Sequence, residues 1–169
     1  MALPIWMMSH KLVLVVQDTT DLNFSKRPHT EGLGLVGTNQ TGAQSWGLKL
    51  HSSVALTPEG LPLGVLRAMM YAPERKGKAG KKSIGRRIEE KKSFRWLEGY
   101  RDCVAVAKKM PKTRLLTVMD REGDIFELFE DAEATRKRVG VLVRARHNRH
   151  LEGREHKLFE TLQASRSRT

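Results

Sequence analysis

Leu12-Val13-Leu14-Val15-Val16 runs directly into Gln17-Asp18-Thr19-Thr20, and a second run, Leu115-Leu116-Thr117-Val118-Met119, ends in Asp120-Arg121-Glu122-Gly123-Asp124. A continuous aliphatic and β-branched stretch of about five residues reads as a strand buried on both faces. A carboxylate placed where such a strand surfaces is held by rigid backbone and still reaches solvent. Asp18 and Asp120 both stand at such a point. Side by side in one sheet, they would offer oxygen ligands to a hard divalent ion, Mg²⁺ or Mn²⁺. Taken singly, each aspartate reads more simply as the cap of a turn or a helix.

Outward from these two runs, the polar stretch from Asp21 to Trp46, rich in Gly, Thr and Asn, reads as a long loop. Leu48 to Thr57 alternates apolar and polar residues with a period of two, which predicts a strand. Pro58-Glu59-Gly60 supplies turn residues, and Leu61 to Met70 returns as the second strand of a hairpin. Glu74 to Lys82 is almost free of apolar residues and reads as exposed loop. A helix is predicted from Ile84 to Lys109, with Phe94, Leu97, Arg101 and Val104 on one stripe, Trp96, Tyr100, Cys103 and Ala107 beside it, and Pro111 closing it. Ile125, Leu128, Phe129 and Ala132 give a second helix one apolar face, and Asp124 with Glu127 fits a capping pattern at its start. Val139 to Val143 is a further strand, and a short helix is expected around Leu158 to Leu162. The fold class is therefore α/β, a mixed sheet with flanking helices over residues 10–162, the ends 1–9 and 163–169 being frayed.

At 169 residues the chain suits one domain, and its 39% hydrophobic content implies an incomplete fold or long polar excursions. Lys and Arg outnumber Asp and Glu by 31 to 19, a formal net charge of +12. A surplus that large on a small domain attracts polyanions, of which nucleic acid is the commonest. Cys103 is the single cysteine, which excludes an internal disulfide and a cysteine-rich zinc site. No apolar stretch approaches the roughly 20 residues of a membrane helix, and Met1 to Ser9 lacks the basic leader and cleavage site of a signal peptide. A cytoplasmic protein is expected.

Several words in the chain are more specific than composition. Gln17-Asp18-Thr19-Thr20-Asp21-Leu22-Asn23-Phe24 resembles the first catalytic block of bacterial insertion-sequence DDE transposases, the cut-and-paste family with a ribonuclease-H-like core. Asp120-Arg121-Glu122-Gly123-Asp124-Ile125 resembles that family's Asp-Arg-Glu-x-Asp word. Glu31-Gly32-Leu33-Gly34, His51-Ser52, Thr57 to Gly64, Ile88 to Lys91 with Arg95-Trp96-Leu97, and Val143 to His147 are also similar to it, in family order. The resemblance spans roughly Val13 to Leu162. It implies a ribonuclease-H-like catalytic domain in which Asp18 and Asp120 are two of three metal-binding carboxylates. It further implies that Arg144 and Arg146 lie near double-stranded DNA at the transposon end. Pairing with a second copy or with full-length transposase, and association with a bacterial nucleoid, follow from the same resemblance.

The departure from the pattern is informative too. The family's third carboxylate is a Glu within a Tyr-x2-Arg-x3-Glu-x6-Lys word, and neither Tyr71 nor Tyr100 opens such a word. Glu152, Glu155 and Glu160 lack the right neighbours. The expectation is a central piece of a transposase whose catalysis alone is doubtful. The rivals are an inert DNA-binding remnant, able to interfere with full-length transposase, and a stand-alone metal-dependent nuclease. Gly32-x-Gly34-x-x-Gly37 spells a dinucleotide fingerprint, but without a preceding strand and following helix it reads as turn glycines. His147, His150 and His156 fit no usual zinc spacing and read as histidines on a basic face. Arg75 to Arg87 reads either as a solvated loop or as phosphate contacts. Trp46 and Trp96 read as packing residues.

Overall fold

Along the first strand, β1 (Leu12–Asn23), Val13, Val15 and Gln17 are buried, Leu14 and Val16 are half-buried, and Asp18 is exposed. Alternate side chains point to opposite faces of a sheet, so one face of β1 is dry and the other open. The computed structural model describes residues 5–27, 29–73, 87–135 and 138–166. Within them the chain is an α/β fold with a mixed, open, six-stranded sheet and three α-helices.

β1 is flanked by β3 (Gln44–Leu56), antiparallel to it, and by β5 (Arg114–Met119), parallel to it. β6 (Val139–Val143) extends the parallel side beyond β5. On the far edge of β3, β4 (Pro62–Tyr71) pairs with Lys49 to Leu56 and β2 (Gly34–Thr38) pairs with Gln44 to Gly47. The β3–β4 hairpin turns as predicted, with Gly60 at φ +92 and Thr57 and Leu61 joined by a 2.9 Å backbone hydrogen bond. Positive φ is cheap for glycine alone, which explains the residue there.

The helices α1 (Phe94–Lys109) and α2 (Phe126–Thr135) pack on one face only. Trp96, Leu97, Tyr100, Cys103, Val106 and Ala107 of α1 meet Val13, Val15, Leu115 and Val139 of the sheet. The buried stripe thus centres on the Trp96–Tyr100–Cys103–Ala107 row, while Arg101 is exposed and bonds Asp131 of α2 at 2.7 Å. Gly99 lies against the side-chain amide of Gln17, so close that a Cβ would collide with it. Tyr100 ties the layers together, its hydroxyl 2.5 Å from the Thr135 hydroxyl and donating to the Val139 carbonyl at 3.3 Å. Arg67 of β4 bonds Asp102 at 2.7 Å and Glu98 at 3.2 Å, tying the same stretch of α1 to the hairpin.

The structure departs from the sequence reading at five places. The predicted loop over Asp21 to Trp46 contains the outer part of β1, all of β2 and the start of β3. Polar residues enter strands there because Asp18 to Asn23 pair with Ser52 to Gly47, a tertiary contact that overrides weak local preference. The helix begins at Phe94, not Ile84; Ile88–Glu90 makes a single 3₁₀ turn, and residues 84–86 lie outside those described. Residues 87–92 carry one apolar side chain, so no stripe exists to bury. Ile5–Ser9, expected to be frayed, forms a 3₁₀ helix with Met7 fully buried, and the last helix, α3 (Leu158–Arg166), runs past Leu162. Finally, β1 and β5 are dry on one face rather than both. On the open face Leu14, Val16, Leu116 and Val118 are half-covered, and Val65, Met70 and Leu142 are 59%, 59% and 57% exposed.

Candidate active site at the carboxyl end of the sheet

Val16 pairs with Val118, so each β1 residue faces the β5 residue 102 positions later. The same offset, carried two residues on, sets Asp18 level with Asp120, whose backbone is still extended at φ −79 and ψ −165. Neighbouring strands are about 4.8 Å apart. Asp18 follows Leu14 and Val16 in the alternation, and Asp120 follows Leu116 and Val118. Both therefore stand on the open face, and both are exposed.

Their carboxylates differ in what they already hold. Asp120 caps the 3₁₀ turn Arg121–Gly123, one oxygen accepting the Glu122 N–H at 2.8 Å. Asp18 sits opposite Ser52 of β3 and accepts no hydrogen bond among the described residues. Two oxygen-bearing side chains at one level suit a hard divalent cation, with water completing its shell. Yet no group of three or more His, Cys, Asp or Glu that could hold a metal forms among the described residues. Of the late acids, Glu160 accepts the Lys157 N–H at 2.9 Å beside the start of α3, and Glu152 and Glu155 are exposed. The fit is to a partial site with two protein carboxylates.

Behind Asp18, on the dry side, His51 is fully buried. Its Nδ1 is 2.9 Å from the Thr19 hydroxyl, its Nε2 is 3.3 Å from Gln17 Oε1, and its ring meets Trp96 edge-on at 4.8 Å. Burial first, then the charges of Arg95 and Arg67, push its pKa down to about 4, against a small opposing pull from Asp18. His51 is thus neutral at pH 7 and buttresses β1 against β3 directly under the carboxylate.

The predicted arginines follow β6. The Arg144 N–H donates to the Met119 carbonyl at 3.1 Å, so the chain leaving β6 still runs alongside the end of β5, next to Asp120. Both arginines are exposed and neither guanidinium meets a carboxylate among the described residues. Arg146, together with Thr19, Asp21, Lys49, Tyr71, Arg95 and Glu122, lines a cavity of about 540 Å³ on the helix-covered side. The structure brings Asp18, Asp120 and the start of this basic segment to one end of the sheet, and turns Arg146 toward the other face.

What holds that segment in place is Asp124. It does not act as the predicted helix cap. Its side chain is 3% exposed; one oxygen accepts the N–H groups of Arg146 at 2.7 Å and His147 at 2.9 Å, and the other accepts Arg149 at 2.6 Å. Arg149 also donates to the Asp124 carbonyl at 2.9 Å and covers the Phe129 ring at 5.4 Å. Local spacing could not reveal this, because the partners lie more than twenty positions downstream. Its only sequence signal is a second acid in Asp-Arg-Glu-Gly-Asp with a basic run to answer it.

Other candidates resolve more simply. Gly34 and Gly37 lie within β2 and open no helix. His147 and His150 are exposed and join no metal group among the described residues. Except for Arg87, the run from Arg75 to Arg87 lies outside the described residues. Cys103 is buried, and burial pushes its thiol up to about 12, leaving it inert. Among the described residues no helix is long and apolar enough to cross a membrane. The chain matches no protein-family model and no curated protein.

Proposed function

We propose that this chain is a partial ribonuclease-H-like catalytic domain of a DDE transposase, acting on double-stranded DNA at transposon ends. The observation that carries the reading is the common level and common exposed face of Asp18 and Asp120, the acids at the heart of the two words that resemble the family's catalytic blocks. The sheet supports it as well. Strands antiparallel to β1 on one side and two strands parallel to it on the other are the arrangement such a core requires.

Asp18 and Asp120 would hold Mg²⁺ or Mn²⁺, which when bound lowers the pKa of a coordinated water and stabilises charge on phosphodiester oxygens. The chain's own contribution is placement. β1 and β5 fix the spacing of the two carboxylates, the Glu122 N–H orients Asp120, and His51 stiffens the strand beneath Asp18. Arg144, free of carboxylate partners among the described residues, attracts a phosphate beside Asp120. Hydrolysis at the element's end and strand transfer are the reactions this layout serves, in partnership with a second copy or a full-length transposase.

One observation favours a second reading: no third acid joins the pair among the described residues. On that reading the domain binds DNA without cutting it. A nicking and strand-transfer assay in Mn²⁺ separates the two. Cleavage by the wild-type chain that disappears in Asp120→Ala supports the enzyme; retained DNA binding with no cleavage leaves the binder.

A further inference from the structure

The cavity at the start of α1 has no part in the carboxylate chemistry above. It opens on the opposite face of the sheet from Asp18 and Asp120, and its walls come from β1, β3, the end of β4, the start of α1, the 3₁₀ turn after β5 and the segment after β6. Four cations line it, Lys49, Lys92, Arg95 and Arg146, against two acids, Asp21 and Glu122. Lys49 is already paired with Asp21. The surplus therefore rests on Lys92, Arg95 and Arg146, which come from two separate parts of the chain.

Arg95 is held by two neighbours. Its guanidinium lies 3.6 Å from the centre of the Tyr71 ring and donates to the Lys92 carbonyl at 3.1 Å, a single bond from a group that carries five N–H donors. A guanidinium stacked on a phenol is both a phosphate donor and a flat surface on which a base can lie. Thr19 and Ser93 also line the space, and buried Trp96 forms part of its wall. The positive field reaches inward: Arg95 is among the charges that keep His51 neutral.

We propose that this cavity is a nucleic-acid backbone site, in which Lys92 and Arg95 contact a phosphate and Arg146 connects it to the basic segment beside the carboxylates. The inference rests on the DNA-binding half of the proposed function and is independent of the metal chemistry. At about 540 Å³ the space far exceeds a bare phosphate, and it accommodates a nucleotide unit. Arg146 lies two residues after Arg144, so a strand held by Arg144 at the open face has a continuous basic path round the sheet end into the cavity.

The test is the salt dependence of binding to a labelled duplex oligonucleotide by the full chain. Each lost phosphate contact lowers the slope of log K against log salt by about 0.9. The Lys92→Gln, Arg95→Gln double variant, which leaves that one phosphate unneutralised, is expected to lower it by about 0.9, while Lys92→Arg with Arg95→Lys restores most of it. Thermal midpoint and circular dichroism confirm that both variants fold. An unchanged slope in the Gln variant, with a reduced slope in Arg144→Gln, overturns the cavity site and leaves the proposed function standing. Absence of duplex binding by the wild-type chain overturns both. Deoxynucleoside monophosphate serves as the second probe: quenching of tryptophan fluorescence by it, with no effect of the Gln variant on the duplex slope, would assign the cavity to free nucleotides and reject a strand.

Discussion

The two faces of the sheet are built from alternate residues of the same strands and have opposite fates. On the helix-covered face Val13, Val15, Ala55, Leu115 and Val139 are fully buried against α1 and α2. On the other, Leu14, Val16, Leu116 and Val118 are half-covered, and the series ends in Asp18 and Asp120. A shift of one residue would exchange the faces. Parity therefore assigns the core to one set of side chains and the two candidate carboxylates to the other, so substitutions one position apart should differ sharply in kind.

The largest expected contrast is in stability. Leu97 is fully buried in the layer between α1 and the sheet, and Leu97→Ala should cost about 2–5 kcal/mol in urea unfolding. Leu142, 57% exposed on the open face, should cost less than about 1 kcal/mol as Ala. Equal losses would mean that the open face is packed against something in solution.

The next effect is a pH dependence confined to the covered face. His51 has a folded pKa pushed down to about 4, below its ordinary 6.5. Its stabilising contribution is therefore complete above pH 6.5 and is lost as pH falls toward 4, because the unfolded chain takes up the proton first. The span corresponds to a loss on the order of 3 kcal/mol. Nuclear magnetic resonance should show the ring titrating near pH 4; a midpoint near 6.5 would mean that the buried Thr19–His51–Gln17 chain does not form.

Smaller again is Asp124→Ala, expected to cost about 2 kcal/mol through unpaired N–H groups and a freed Arg149. Its specific signature is faster hydrogen exchange at the Arg146 and His147 amides, which donate to that carboxylate. Unchanged exchange there would dissociate Asp124 from the basic segment.

Much of the fold was legible because its signals are local. The hairpin from Leu48 to Met70, the runs that became β5 and β6, and the apolar face of α2 all announce themselves in periodicity. The outer half of β1 and all of β2 did not, since Thr, Asp and Gly become strand there only by pairing with β3. An apolar run also cannot say whether one face or two will be covered, so the runs in β1 and β5 imply two dry faces where the fold covers one. In the candidate site, Asp18 and Asp120 were legible as acids ending apolar runs. Their shared level was not, because it depends on a parallel register between strands a hundred residues apart. Asp124 looked like a helix cap and proved to be a tertiary anchor, for the same reason.

The most direct test of the central claim is paramagnetic line broadening by Mn²⁺, followed at the amides of residues 17–20 and 118–122. A cation shared by Asp18 and Asp120 predicts that both groups of signals broaden at one half-saturating concentration and that Asp120→Ala abolishes both. Broadening of one group alone, or survival of the Asp18 effect in Asp120→Ala, would contradict it.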